Sequence, residues 1–105
     1  MVAEKVEDKE LRDYELVFIV SPALADEGFD AMIERVNQFI TRNGGVASEV
    51  VKWGKKKLAY PIKHFLEGNY ALSRFKLRPR FSRELESNLR LSEDILRYLL
   101  IKVKE

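Results

Sequence analysis

Residues 14–20, Tyr-Glu-Leu-Val-Phe-Ile-Val, are aromatic and β-branched and end at Ser21-Pro22. A short run that is apolar on nearly both faces and closed by a turn signal predicts a strand in the middle of a sheet. From residue 28 the period changes. Phe29, Met32, Ile33, Val36, Phe39 and Ile40 recur at three- and four-residue intervals, the single stripe of an amphipathic helix over 28–43. Asn43-Gly44-Gly45 supplies a left-handed stop. Residues 46–59 predict a second, long strand with a bulge or bend at Gly54, closed by Pro61 and followed by a turn over 64–68. A third strand spans 69–77, with Tyr70 and Leu72 on one face and Ala71, Phe75 and Leu77 on the other. After the break at Arg78-Pro79 a second helix covers 81–91, with Ser82 as its N-cap and Leu85 and Leu89 facing inward. Glu93-Asp94 turns the chain into a last strand over 95–103.

The order is β-α-β-β-α-β. Two helices on so small a sheet bury their stripes most economically side by side on one face, which predicts an α+β, ferredoxin-like split βαβ fold with a four-stranded antiparallel sheet. Its usual strand order, 4-1-3-2, puts the second strand at an edge and leaves one sheet face open.

With 105 residues and 46% hydrophobic content the chain is long enough for one domain with a real core. It contains no cysteine, so disulfides, thiolate metal sites and cysteine nucleophiles are excluded. No stretch approaches the ~18 apolar residues of a membrane span, and the N-terminus lacks a signal peptide's apolar core, which predicts a soluble cytoplasmic protein. Residues 1–13 hold three basic against five acidic side chains, leaving 16 basic and 12 acidic in the remainder. Residues 1–11 accordingly read as a flexible N-terminal extension, and 12–105 as the folded domain.

Charge is distributed far less evenly than its sum of +2 implies. From Val50 to Arg83 the chain carries ten Lys and Arg residues and one acid, Glu67. The densest part, Trp53-Gly54-Lys55-Lys56-Lys57-Leu58-Ala59-Tyr60-Pro61-Ile62-Lys63-His64, interleaves cations with aromatic rings. A merely solvated face normally mixes both signs. This one suits a phosphate backbone, whose neutralisation releases counterions while ring faces stack on bases.

Four features together resemble the bacterial small-subunit ribosomal protein six family: Tyr14-Glu15 opening the first strand, Leu58-Ala59-Tyr60-Pro61-Ile62 behind a basic triplet, Gly68-x-Tyr70, and the closing run Leu89-Arg90-Leu91-Ser92-Glu93-Asp94-Ile95-Leu96-Arg97-Tyr98. The resemblance runs from about Arg12 to Lys104. It implies a ferredoxin-like structural component of the small ribosomal subunit in the cytoplasm, with no enzymatic activity and no cofactor. Its implied partners are the central domain of the small-subunit ribosomal RNA and ribosomal protein eighteen, bound as a pair. Matched to the family motifs, the basic pair falls on Lys56 and Lys57, the tyrosine on Tyr60, and the closing arginines on Arg90 and Arg97. Where the family carries two basic residues before Tyr14, this chain has Arg12 and Asp13.

RNA helices hide their base edges in a deep groove, so a structural binder reads phosphates, shape and splayed bases. Lys55, Lys56, Lys57 and Lys63 then act as phosphate ligands, Arg90 and Arg97 as bidentate ones, and Tyr60 as a stacking platform or a packed ring under the hairpin. Trp53 fits packing under the hairpin better. His64, the only histidine, has no metal-ligating neighbours and reads as a phosphate or solvent contact. Glu93-Asp94 reads as a turn or a partner for Arg97. Two other functions share this fold. An RRM needs an aromatic where Glu67-Gly68-Asn69-Tyr70 places Asn69. A small-ligand regulatory domain or enzyme needs a phosphate loop or a paired general base; the glycine that a P-loop ending at Gly54-Lys55 requires is Glu49.

Overall fold

The computed structural model describes residues 10–103, in which β1 (Arg12–Val20), α1 (Asp26–Arg42), β2 (Val46–Ile62), β3 (Phe65–Leu77), α2 (Pro79–Leu91) and β4 (Ile95–Lys102) follow one another. The N-terminal extension predicted over 1–11 lies outside the described residues but for Glu10 and Leu11, which precede β1. The sheet has the order β2-β3-β1-β4 with every pairing antiparallel, the ferredoxin-like arrangement. Strand alternation sends Tyr14, Leu16, Phe18 and Val20 of β1 and Ala71, Phe75 and Leu77 of β3 to one face. There they meet Met32, Ile33, Val36 and Ile40 of α1 and Leu85 and Leu89 of α2. Tyr14 and Phe75 stack with ring centroids 5.8 Å apart. Among the described residues the opposite face carries no helix.

α1 stops where its pattern stops. Gly44 takes φ 82°, Asn43 Nδ2 donates to the Phe39 carbonyl at 2.8 Å, and the Gly45 amide donates to the Ile40 carbonyl. A Cβ on Gly45 would lie 2.4 Å from the Lys76 carbonyl oxygen and 2.8 Å from Ile40 Cγ2. One of those neighbours is backbone in a paired strand and cannot yield as a side chain does. Gly45→Ala is therefore expected to lower the unfolding free energy by about 1–3 kcal/mol. Urea denaturation reads the change, and an unaltered midpoint would show that this junction shifts freely.

Three local expectations are corrected. Pro61 does not close the second strand, and 64–68 is not the turn. β2 runs on to Ile62, which pairs with Phe65 across Lys63-His64, and both turn residues have positive φ, 52° and 72°. That is the two-residue hairpin geometry usually signalled by Asn-Gly, and Lys-His hides it. Proline is tolerated because β2 is an edge strand and its ladder is already irregular between Lys57 and Ile62. Ser82 does not cap α2 either. Arg78 is the N-cap and Pro79 the first helical residue, while Ser82 Oγ donates to the Pro79 carbonyl at 2.7 Å. Proline's fixed φ suits the first turn. The bulge expected at Gly54 is present, with φ 85° and a register shift from Lys52.

Candidate nucleic-acid interface

β2 and β3 form an arm longer than the strands beside them, 17 and 13 residues against 9 and 8. Gly68 lets this arm lie close on the open face, since a Cβ there would fall 2.3 Å from Ile19 Cγ2. The twisted arm brings its end back towards the start of β4. Arg97 stands with its guanidinium carbon 5.5 Å from the centroid of the Tyr60 ring. Lys63 shares with Arg90, Arg97, Tyr98 and Ile95 a cavity of about 320 Å³. The Arg90 guanidinium donates to Tyr98 Oη at 3.4 Å and lies 3.9 Å from Glu86.

Four of the sequence-predicted residues, Tyr60, Lys63, Arg90 and Arg97, thus converge from β2, the hairpin turn, α2 and β4. Lys55, Lys56 and Lys57 continue the cationic surface along the edge strand, opposite Asn69, Gly68 and Glu67, and all three are exposed. Strand alternation points Lys56 to one side of the arm and its two neighbours to the other. Lys56 Nζ sits 5.7 Å from the centroid of Trp53, which is 43% exposed and so is not buried under the hairpin. His64 is exposed in the turn itself.

Arg12 is not brought to this site. It pairs with Leu77 at the far end of β1, whereas Val20 at the near end pairs with Asn69. Its guanidinium lies 3.3 Å from Glu10. Tyr98 was missed by sequence reasoning although it closes the Leu89–Tyr98 run; only the fold shows that its hydroxyl meets Arg90. Among the described residues neither Glu93 nor Asp94 forms an ion pair with Arg97. The Asp94 carbonyl instead accepts the Ser21 amide at 2.8 Å, which joins the turn to the end of β1.

The open face separates into two parts. Towards the Arg12 end, Arg74 donates to Glu15 and Glu49, each at 2.9 Å, and Lys76 pairs with Asp13 at 3.6 Å. The hydrogen bonds from Arg74, to Glu49 first and then to Glu15, hold its guanidinium pKa above the usual value. These cations bind β1, β2 and β3 together. The rest of the face is apolar: Leu99, 57% exposed, and Ile101 are exposed, Val17 is half-buried and Leu72 is buried. Asn69 and Ala71 lie on the helix side and are buried. The β3 positions an RRM uses for stacking therefore face the core, which removes that reading on geometry.

The sequence profile described as Ribosomal protein S6 matches residues 13–102. The chain belongs to the ribosomal protein S6 family. Among its relatives, small ribosomal subunit protein bS6 of Moorella thermoacetica is 41% identical over 95 residues, covering 90% of this chain and 97% of that one. The bS6 protein of Clostridium novyi is 41% identical over 91 residues, 87% of this chain and 96% of the other. The crystal structure of 30S ribosomal protein S6 from Thermotoga maritima superposes with a TM-score of 0.83 at 32% identity, covering 90% and 89% of the two chains. These relatives are structural proteins of the ribosome, and as an S6 family member this chain is ribosomal, cytoplasmic and not an enzyme.

Proposed function

We propose that this S6 family protein is a structural component of the small ribosomal subunit that binds the central domain of the small-subunit ribosomal RNA together with ribosomal protein eighteen. The convergence of Tyr60, Lys63, Arg90 and Arg97 carries this reading. Three cations around two tyrosines, of which only Arg90 has a carboxylate partner among the described residues, Glu86 at 3.9 Å, match phosphates flanking an unstacked base. Lysine supplies mobile point charges and arginine a planar fork. Lys55, Lys56 and Lys57 extend the track along the arm, and the exposed apolar part of the open face supplies area for the protein partner.

The test is binding to central-domain RNA across a salt series, with and without ribosomal protein eighteen. Tight binding that requires the partner supports the pair as the functional unit. Equal, weak binding to any RNA would defeat the reading. In the same assay, changing Lys55, Lys56 and Lys57 together to Gln is expected to leave the fold intact, because all three are exposed edge-strand residues. The salt slope should fall by roughly one unit per lost phosphate contact. Unchanged affinity and slope would move the contact off the arm.

A further inference from the structure

The ion pairs of the open face use up part of the basic run Arg74, Lys76, Arg78, Arg80 and Arg83 and leave the remainder. Arg74 and Lys76 are held by Glu15, Glu49 and Asp13. Arg78, Arg80 and Arg83 are exposed and form no ion pair among the described residues. The fold adds further arginines to them. Arg12 is the cross-strand partner of Leu77, which places it beside Arg78, and it lies on the helix side of the sheet, where α2 begins. Its Nε is buried without an acceptor among the described residues. The end of α1, at Arg42, belongs to the same end of the molecule, since Val46 pairs with Lys76.

Among the described residues the acids near this cluster are few. Glu10 lies 3.3 Å from Arg12, Asp13 is taken by Lys76, and Glu84 follows Arg80 by one helical turn without pairing with it. The arrangement works against local stability. A helix favours acids in its first turn, and α2 has none there. Arg80 and Arg83 are three apart and neighbour one another on the helix surface, where like charges repel. A surface that keeps unfavourable like charges together is expected where a ligand of opposite charge neutralises them. Arginine forks match phosphate oxygens two at a time. The surroundings do not resemble the apolar centre of a protein interface: the large apolar companion here is Phe81, half-buried, with Arg80 lying 5.4 Å from its ring centroid.

Resting on the RNA-binding reading above, we propose that Arg12, Arg78, Arg80 and Arg83 form a second phosphate-binding surface, and that the chain bridges two segments of RNA. Arg78 and Arg90 stand at opposite ends of α2, which at 1.5 Å per residue separates the two sites by about 18 Å. The helix and its ion-paired sheet hold that separation as a rigid spacer.

The test uses the full chain and a central-domain transcript of small-subunit ribosomal RNA, over a salt series. R78Q/R80Q/R83Q is compared with K63Q/R90Q/R97Q, both checked for folding by circular dichroism. Each triple variant is expected to reduce the salt slope by roughly two to three units. If the α2 arginines leave slope and affinity unchanged while the hairpin-side variant loses both, the second surface is refuted and the RNA-binding reading stands. If neither variant changes binding, both are refuted. Should R78Q/R80Q/R83Q weaken binding of ribosomal protein eighteen but not of RNA, the surface belongs to a protein and the proposal is again overturned. Bridging has its own readout, because the chain lacks cysteine. Iron–EDTA attached through Glu84→Cys or through Leu66→Cys should cleave two different RNA segments. Cleavage of one common segment from both positions would overturn the bridge.

Discussion

Phe18→Ala is expected to lower the unfolding free energy by about 3–5 kcal/mol, the range for losing a buried aromatic ring. Phe18 is fully buried, in the strand that pairs on both sides, opposite Ala71 of β3 and Tyr98 of β4. Ala71 is too small to close the cavity from the sheet side, and the helices above are fixed by their own buried stripes. A domain of this size has about 5–15 kcal/mol of stability in all, so the variant should approach the unfolding threshold. Urea denaturation followed by circular dichroism measures the difference. A loss below about 1 kcal/mol would mean that the core repacks around the missing ring, against the cost expected for cavities. RNA binding should decline only as far as the folded fraction does.

K63Q/R90Q/R97Q is expected to do the reverse: keep the fold and lose the RNA. All three side chains are exposed. Stability should fall by only about 0.5–1 kcal/mol, from the contact of Arg97 with the Tyr60 ring. Affinity is another matter. Removing three phosphate contacts at 0.1 M salt should weaken binding roughly 100- to 1,000-fold and reduce the salt slope by two to three units. Denaturation and RNA titration run on the same preparation separate the two effects. An unchanged slope would show that the convergence of these residues serves the fold alone, and that the lysines along β2 or the arginines of α2 carry the RNA.

Periodicity made most of the architecture legible. The stripe Phe29 to Ile40, the alternate residues Tyr14, Leu16, Phe18 and Val20 and the inward set Ala71, Phe75 and Leu77 pack into or against the core, because burial of one face is what those spacings encode. The errors fell where backbone chemistry is carried by unusual residues. Lys63 and His64 adopt left-handed conformations that glycine or asparagine would have advertised. Arg78 caps α2 without a side-chain hydrogen bond, so no polar cap marked the true start. The candidate site was legible only as a list. Its residues are scattered from 12 to 97, and nothing in their spacing says that Arg97 lies against Tyr60 while Arg12 lies at the other end of the sheet.

By itself, then, the chain determines which faces are apolar, how many elements there are, and where cations outnumber acids, since these are properties of residue type and local period. The tertiary structure decides what becomes of each charge. The twist of a long edge hairpin carries Tyr60 and Lys63 to Arg90 and Arg97. The pairing of β1, β2 and β3 assigns Arg74 and Lys76 to carboxylates. The junction of β3 and α2 leaves Arg78, Arg80 and Arg83 without them among the described residues. Electrostatic function depends on distances between groups far apart in sequence, and only folding sets those distances.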